Sequence, residues 1–110
     1  MARVISTDEV KQKIDAGSAV VLEALPPSYY DEAHLPGALN LPLDEVDDRA
    51  GGLIPSKDAE VIVYCSNEAC SNSGIAADRL IELGYTNVFK YAAGKQDWVG
   101  AGLPTESAAK

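Results

Sequence analysis

The sequence predicts an α/β domain built on a mainly parallel sheet. Short apolar runs recur along the chain, at residues 3–5, 19–23, 60–64 and 87–91. Between them lie amphipathic stretches with their own start and stop residues. The run at 19–23 carries no polar residue before Glu23, the pattern of a strand buried on both faces. A chain of 110 residues is long enough for one hydrophobic core, and residues 1–110 are read as a single domain.

Each element has a local reason. Residues 3–5 form a short first strand. Ser6, Thr7, Asp8 and Glu9 follow as a capping box, with the Glu9 carboxylate three residues after the Ser6 hydroxyl, and open a helix that Gly17 ends. Pro26 and Pro27 break the strand at 19–23, and a helical turn is expected through 29–33. His34 to Ala38 reads as a turn before a short strand at 38–40. An acidic helix from about residue 44 to 50 is expected to stop at Gly51 and Gly52. Residues 60–64 are the clearest strand, β-branched and apolar. Residues 73–83 are the clearest helix: Ala76, Ala77, Leu80 and Leu83 make one apolar stripe and Gly84 ends it. Residues 87–91 form a further strand, and 96–99 a last helical turn before Gly102-Leu103-Pro104.

Composition narrows the function. The apolar share of 46% and charged share of 24% are those of ordinary globular chains. Nine Lys and Arg against seventeen Asp and Glu give a net charge of −8. No Lys or Arg lies between Lys13 and Arg49. Nucleic acid and anionic membranes need the opposite sign, so neither is an expected partner. No apolar run approaches the ~18 residues of a membrane span, and no signal-peptide pattern is visible. With two cysteines, no disulfide framework is possible, and a reduced, cytoplasmic, monomeric protein is expected.

Cys65 carries the chemistry. It follows the strand at 60–64 and precedes a polar loop, Ser66, Asn67, Glu68, Ala69, Cys70 and Ser71, that leads into the helix. In parallel α/β sheets ligands bind beyond the carboxyl ends of the strands. A loop curling into a helix turns backbone N–H groups inward and makes an anion cradle. A cysteine there is expected to titrate below the usual ~8.5, while Cys70 need not. Position alone leaves a buried structural cysteine equally open.

The segment Tyr30-Asp31-Glu32-Ala33-His34-Leu35-Pro36-Gly37-Ala38 resembles the amino-terminal signature of rhodanese domains. Residues 84–88, the stretch Tyr91-Ala92-Ala93-Gly94-Lys95-Gln96-Asp97-Trp98 and Gly102-Leu103-Pro104 are similar to that family's carboxyl-terminal signature. Cys65 falls between them, where the family keeps its nucleophile. The resemblance implies a rhodanese-like fold, a five-stranded mainly parallel sheet flanked by helices on both faces. It also implies a sulfurtransferase that moves sulfane sulfur from thiosulfate, a persulfide or a polysulfide to cyanide or a thiol. The sulfur would travel as a persulfide on Cys65, with residues 66–71 as the substrate-binding loop and no cofactor.

Several departures qualify that expectation. Glu23-Ala24-Leu25 stands where the family commonly has Asp-Val-Arg, which removes a positive charge near the catalytic edge. The loop is slightly longer than the common one, and Glu68 is its only ionisable side chain besides the cysteines, with no Arg or Lys. A dianion such as thiosulfate is expected to bind there weakly. The related dual-specificity phosphatases place a phosphate-clamping arginine where this chain has Ser71, so phosphatase chemistry is not expected. Cys70 either resolves a persulfide, forms a regulatory disulfide, or packs behind the loop. A sulfur-carrying or redox-sensing module and an inactive interaction domain are the other readings. His34 is expected to hold its turn through backbone hydrogen bonds rather than act as a base. Cys65, Cys70 and His34 lack a fourth ligand for zinc, so no metal is expected. Trp98 and Tyr91 are read as packing residues; Ser71 and Ser73 either donate to a bound sulfur species or cap the helix, with capping favoured for Ser73.

Overall fold

The computed structural model describes residues 2–67 and 69–107. The elements run β1 (Arg3–Val4), α1 (Thr7–Ala16), β2 (Val20–Glu23), α2 (Pro27–Glu32), β3 (Leu39–Asn40) and a 3-10 turn (Leu43–Glu45). Then follow α3 (Val46–Leu53), β4 (Glu60–Tyr64), α4 (Asn72–Glu82), β5 (Asn87–Tyr91) and α5 (Gly94–Gly100). The strands form one five-stranded sheet in the order β1-β5-β4-β2-β3. Every pairing in it is parallel.

Alternation along the strands divides the core in two. On one face Leu22, Val61, Val63 and Val88 pack with Val46 and Ala50 of α3 and Ala76, Ala77 and Leu80 of α4. On the other, Val21, Ile62, Tyr64, Phe89 and Tyr91 pack with Val10 of α1 and Trp98 of α5. Helices therefore cover both faces, which a fully parallel sheet requires. The capping box of α1 forms as expected: Glu9 N donates to Ser6 Oγ at 3.2 Å and Ser6 N donates to Glu9 Oε1 at 3.1 Å. Gly17 ends the helix at φ 65°.

Burial overrides local signals in two places. The acidic helix does not stop at Gly51 and Gly52 but runs through both to Leu53, closed by Ile54 N donating to Ala50 O at 2.9 Å. Val46, Ala50 and Ile54 are all buried in one cluster, and the extra turn keeps that face on the sheet. The last helix starts at Gly94 rather than near residue 96, because its first turn docks on the loop after β4.

The strand order creates a crevice. After β2 the chain moves outward to β3, whereas after β4 it moves the other way to β5. The connections diverge between the neighbouring strands β2 and β4, the place where open α/β sheets leave room for a ligand. Cys65 is the first residue beyond β4.

Candidate functional site

Three elements shape the loop that follows Cys65. At its start, α5 clamps the backbone: Lys95 N donates to Cys65 O at 2.9 Å and Gln96 N donates to Ser66 O at 2.8 Å. Gly94 permits that approach. It has φ 72°, and a Cβ there would lie 2.6 Å from Cys65 O and 2.9 Å from Asn67 N. No side chain fits such a position without moving the loop. In the middle, the Asn67 side chain accepts from Ala69 N at 2.9 Å and its carbonyl accepts from Cys70 N at 3.1 Å, which turns the chain back. At the end, Asn72 Nδ2 donates to Ala24 O at 3.1 Å and ties the start of α4 across the crevice to the end of β2. Glu68 lies outside the described residues.

The curl brings Cys65, Cys70 and Ser73 together. Cys65 is buried, with 1% of its surface exposed, and Cys70 is half-buried. The Cys65 thiol lies 3.4 Å from the carbonyl oxygen of Cys70 and 3.5 Å from Ser73 Oγ. Both cysteines are free thiols, and the titration of each responds to the other. Ser73 is therefore not the helix cap. Ser71 occupies the cap position and makes no capping hydrogen bond with its side chain, while Ser73 is buried in the first turn of α4 beside the sulfur. A serine in the opening turn of a helix after such a loop is the signal that capping preference obscured.

Cys65 titrates in the opposite sense to the sequence expectation. Burial pushes the Cys65 thiol up, and the hydrogen bond with the Cys70 side chain adds to this, against the pull of the Ser73 hydroxyl and N–H. For Cys70 burial also raises the pKa, but it is outweighed by hydrogen bonds from the Cys65 side chain and the backbone of Asn72, Ser66 and Ser73. The backbone N–H groups of Asn72, Ser66 and Ser73 thus act chiefly on the second sulfur. A carbonyl facing Cys65 favours its protonated form, since only an S–H donates to it.

Beneath the loop lies a buried polar network that sequence reading missed. Glu23, fully buried at the end of β2, accepts from Tyr64 Oη at 2.7 Å and pairs with Lys95 Nζ at 3.2 Å. Lys95 Nζ also donates to Tyr29 O at 3.0 Å and Ala33 O at 2.6 Å. Tyr64 Oη accepts from Leu35 N at 3.1 Å. Burial first, then the Glu23 charge, drives the Tyr64 phenol far above the usual tyrosine range, so it is a fixed donor to Glu23. The cation missing after β2 is thus supplied by α5. The sequence signal was Glu23 itself, a carboxylate closing an apolar strand.

His34 keeps to its structural part. Its ring stacks on Tyr30 with centroids 3.8 Å apart, its Nδ1 lies 2.8 Å from Tyr30 O, and its backbone pairs with Glu106. Trp98 is buried and donates from Nε1 to Pro104 O at 2.7 Å, and Tyr91 is buried with its hydroxyl 2.7 Å from Thr7 Oγ1. Two shallow clefts flank Asn67 at the loop surface. One, of about 580 Å³, is lined by Glu32, Ala33, Ser66, Asn67, Lys95, Gln96 and Val99. The other, of about 690 Å³, lies toward Ala69, Ala93 and Asp97. Among the described residues no helix is long and apolar enough to cross a membrane.

Comparison with known proteins agrees with this geometry. The family model for the rhodanese-like domain matches residues 6–101. The thiosulfate sulfurtransferase PspE of Escherichia coli is 42% identical over 71 residues, which cover 64% of this chain and 65% of PspE. The Bacillus subtilis protein YrkF is 31% identical over 97 residues, 87% of this chain and 50% of YrkF. The chain thus spans about half to two-thirds of the length of these curated relatives. Among solved structures, a thiosulfate sulfurtransferase from Pseudomonas aeruginosa superposes with a TM-score of 0.87 at 27% identity, covering 99% of this chain and 21% of that one. An E. coli rhodanese with anions superposes at 0.68 with 34% identity, covering 81% of this chain and 98% of that one. With the parallel sheet, the crevice and the cysteine loop on its carboxyl edge, this chain belongs to the rhodanese-like domain family.

Proposed function

We propose that the protein is a sulfurtransferase that carries sulfane sulfur as a persulfide on Cys65. The observation that carries the reading is the position of Cys65 at the end of the central strand β4. It is gripped by α5 from one side and faces the first turn of α4 on the other. In the first half-reaction the Cys65 thiolate attacks the outer sulfur of thiosulfate. A sulfur–sulfur bond forms to Cys65, the bond to the sulfonate sulfur breaks with its electron pair, and sulfite leaves. In the second, a thiophile such as cyanide attacks the outer sulfur of the persulfide and releases the Cys65 thiolate. The Ser73 hydroxyl and N–H face the Cys65 sulfur and would stabilise negative charge there, while the N–H groups of Ser66 and Asn72 act on the neighbouring Cys70.

Thiosulfate or polysulfide treatment followed by mass spectrometry tests the reading. The expected result is sulfur addition at Cys65 or a product derived from it, with thiocyanate formed when cyanide is present together with thiosulfate. Cys65→Ser is expected to abolish both while leaving thermal unfolding close to that of the parent. Equal thiocyanate formation by variant and parent would refute the assignment.

A further inference from the structure

Cys70 is the one nucleophile of the site that single-cysteine sulfur transfer leaves without a task. Its carbonyl receives the Cys65 thiol at 3.4 Å, and the titration of each thiol responds to the other. The turn at Asn67 and the tie from Asn72 to Ala24 bring the Cys70 backbone against the Cys65 thiol. Cys65 is almost wholly buried, whereas Cys70 is partly exposed. An acceptor arriving from solvent has to reach past the loop to the Cys65 sulfur. Cys70 is already beside it.

We propose that Cys70 is a resolving thiol that attacks the Cys65 persulfide and releases its outer sulfur as hydrosulfide. This deepens the sulfurtransferase reading and rests on it. Cys70 Sγ attacks the inner sulfur, Cys65 Sγ. A Cys65–Cys70 disulfide bond forms while the bond from Cys65 Sγ to the outer sulfur breaks, and the electron pair leaves on that sulfur as HS⁻. The outer sulfur is reduced and the two cysteine sulfurs together are oxidised by the same two electrons. The proton on the departing HS⁻ is the one Cys70 gives up. A low-molecular-weight or protein dithiol then reduces the disulfide by exchange and restores both thiols.

Two features favour attack by Cys70 at neutral pH. Backbone donors of Asn72, Ser66 and Ser73 hold its thiol below the usual cysteine range, so a larger fraction is thiolate. Those donors also fix the sulfur in the curl, which makes the step intramolecular. Four residues separate the two cysteines, so the disulfide closes a small ring, and the partial exposure of Cys70 leaves it within reach of a dithiol.

The test uses the reduced full chain with thiosulfate and no other thiol, alongside Cys70→Ser. The parent is expected to release about one hydrosulfide per chain and to end about 2 Da lighter than its reduced form, with Cys65 and Cys70 in one disulfide-linked peptide. Cys70→Ser is expected to release no hydrosulfide and to hold an adduct of about 32 Da on Cys65. A parent that retains a stable adduct on Cys65, or one that carries the extra sulfur on Cys70, overturns the resolving step and leaves sulfur transfer intact. Absence of any adduct in Cys70→Ser, with no hydrosulfide from the parent, overturns the sulfurtransferase reading itself.

Discussion

Removing the Lys95 charge tests how the site is held on the sheet. Glu23 is fully buried, and its carboxylate has two side-chain partners, Tyr64 Oη at 2.7 Å and Lys95 Nζ at 3.2 Å. Lys95→Met keeps much of the buried stem and deletes the ammonium, leaving a buried anion with one hydroxyl. Breaking a buried pair in this way costs about 3–5 kcal/mol, a large share of the 5–15 kcal/mol that holds a typical domain together. At roughly 4 °C or more per kcal/mol, the midpoint is expected to fall by about 12 °C or more. Glu23→Gln leaves a neutral acceptor for Tyr64 and two carbonyls for Lys95, so its cost is nearer ~1–3 kcal/mol. The double variant is expected to be more stable than the sum of the singles implies by about 1–3 kcal/mol, because neither charge is then left alone. Urea unfolding followed by fluorescence and circular dichroism measures all three. A Lys95→Met variant within ~0.5 kcal/mol of the parent, or strict additivity in the double variant, would refute the closed buried pair.

Gly94→Ala is expected to destabilise by about 2–4 kcal/mol, the combined cost of a left-handed residue and a Cβ driven into the Cys65 carbonyl, and to lower sulfur transfer by shifting the loop. Gly37→Ala, with φ 76° but open space around its Cβ, is expected to cost only ~1 kcal/mol, and equal losses at the two sites would contradict the packing argument. Iodoacetamide near neutral pH is expected to label Cys70 before Cys65, since the first is held low and the second high, and thiolate fraction sets the rate; peptide mapping showing Cys65 labelled first would reverse the assignment. A net charge of −8 repels thiosulfate, so kcat/KM is expected to rise with added salt and Glu68→Lys to lower KM most at low ionic strength. Salt independence would show that the approach is governed locally.

Most of the fold was legible because strands and helices here carry strong local patterns. The apolar run at residues 60–64 and the stripe of Ala76, Ala77 and Leu80 became β4 and α4 within a residue of the expected bounds. The Ser6–Glu9 capping box formed as read. What sequence could not show depends on contacts between distant segments. Gly51 and Gly52 look like a stop signal, and only the burial of Ile54 on the sheet explains why the helix continues. Gly94 looks like part of a turn until the backbone of Cys65 and Asn67 is found against it. The place of Cys65 directly after a strand was legible, although position alone left a structural cysteine equally open. Its pKa direction was not, because that depends on which sulfur the loop amides face.

The buried network and the thiol pair bear on the same chemical question. The cation that a family member commonly carries after the second strand is absent at Leu25, and Lys95 stands in for it only structurally. Its ammonium is taken up by Glu23 and by the carbonyls of Tyr29 and Ala33. The donors that remain for an incoming sulfur anion are the loop amides, and in the free protein these act on the Cys70 sulfur. A dianion such as thiosulfate therefore competes with Cys70 for the same N–H groups. Once sulfite has gone, the Cys65 persulfide carries less charge and Cys70 regains its donors beside it. Weak capture of thiosulfate and internal resolution are then two outcomes expected of one arrangement. Cys70→Ser separates them, since it frees the amides for the substrate and removes the resolving thiol together. A lower KM for thiosulfate in that variant, combined with a persistent Cys65 adduct, is the outcome this arrangement requires.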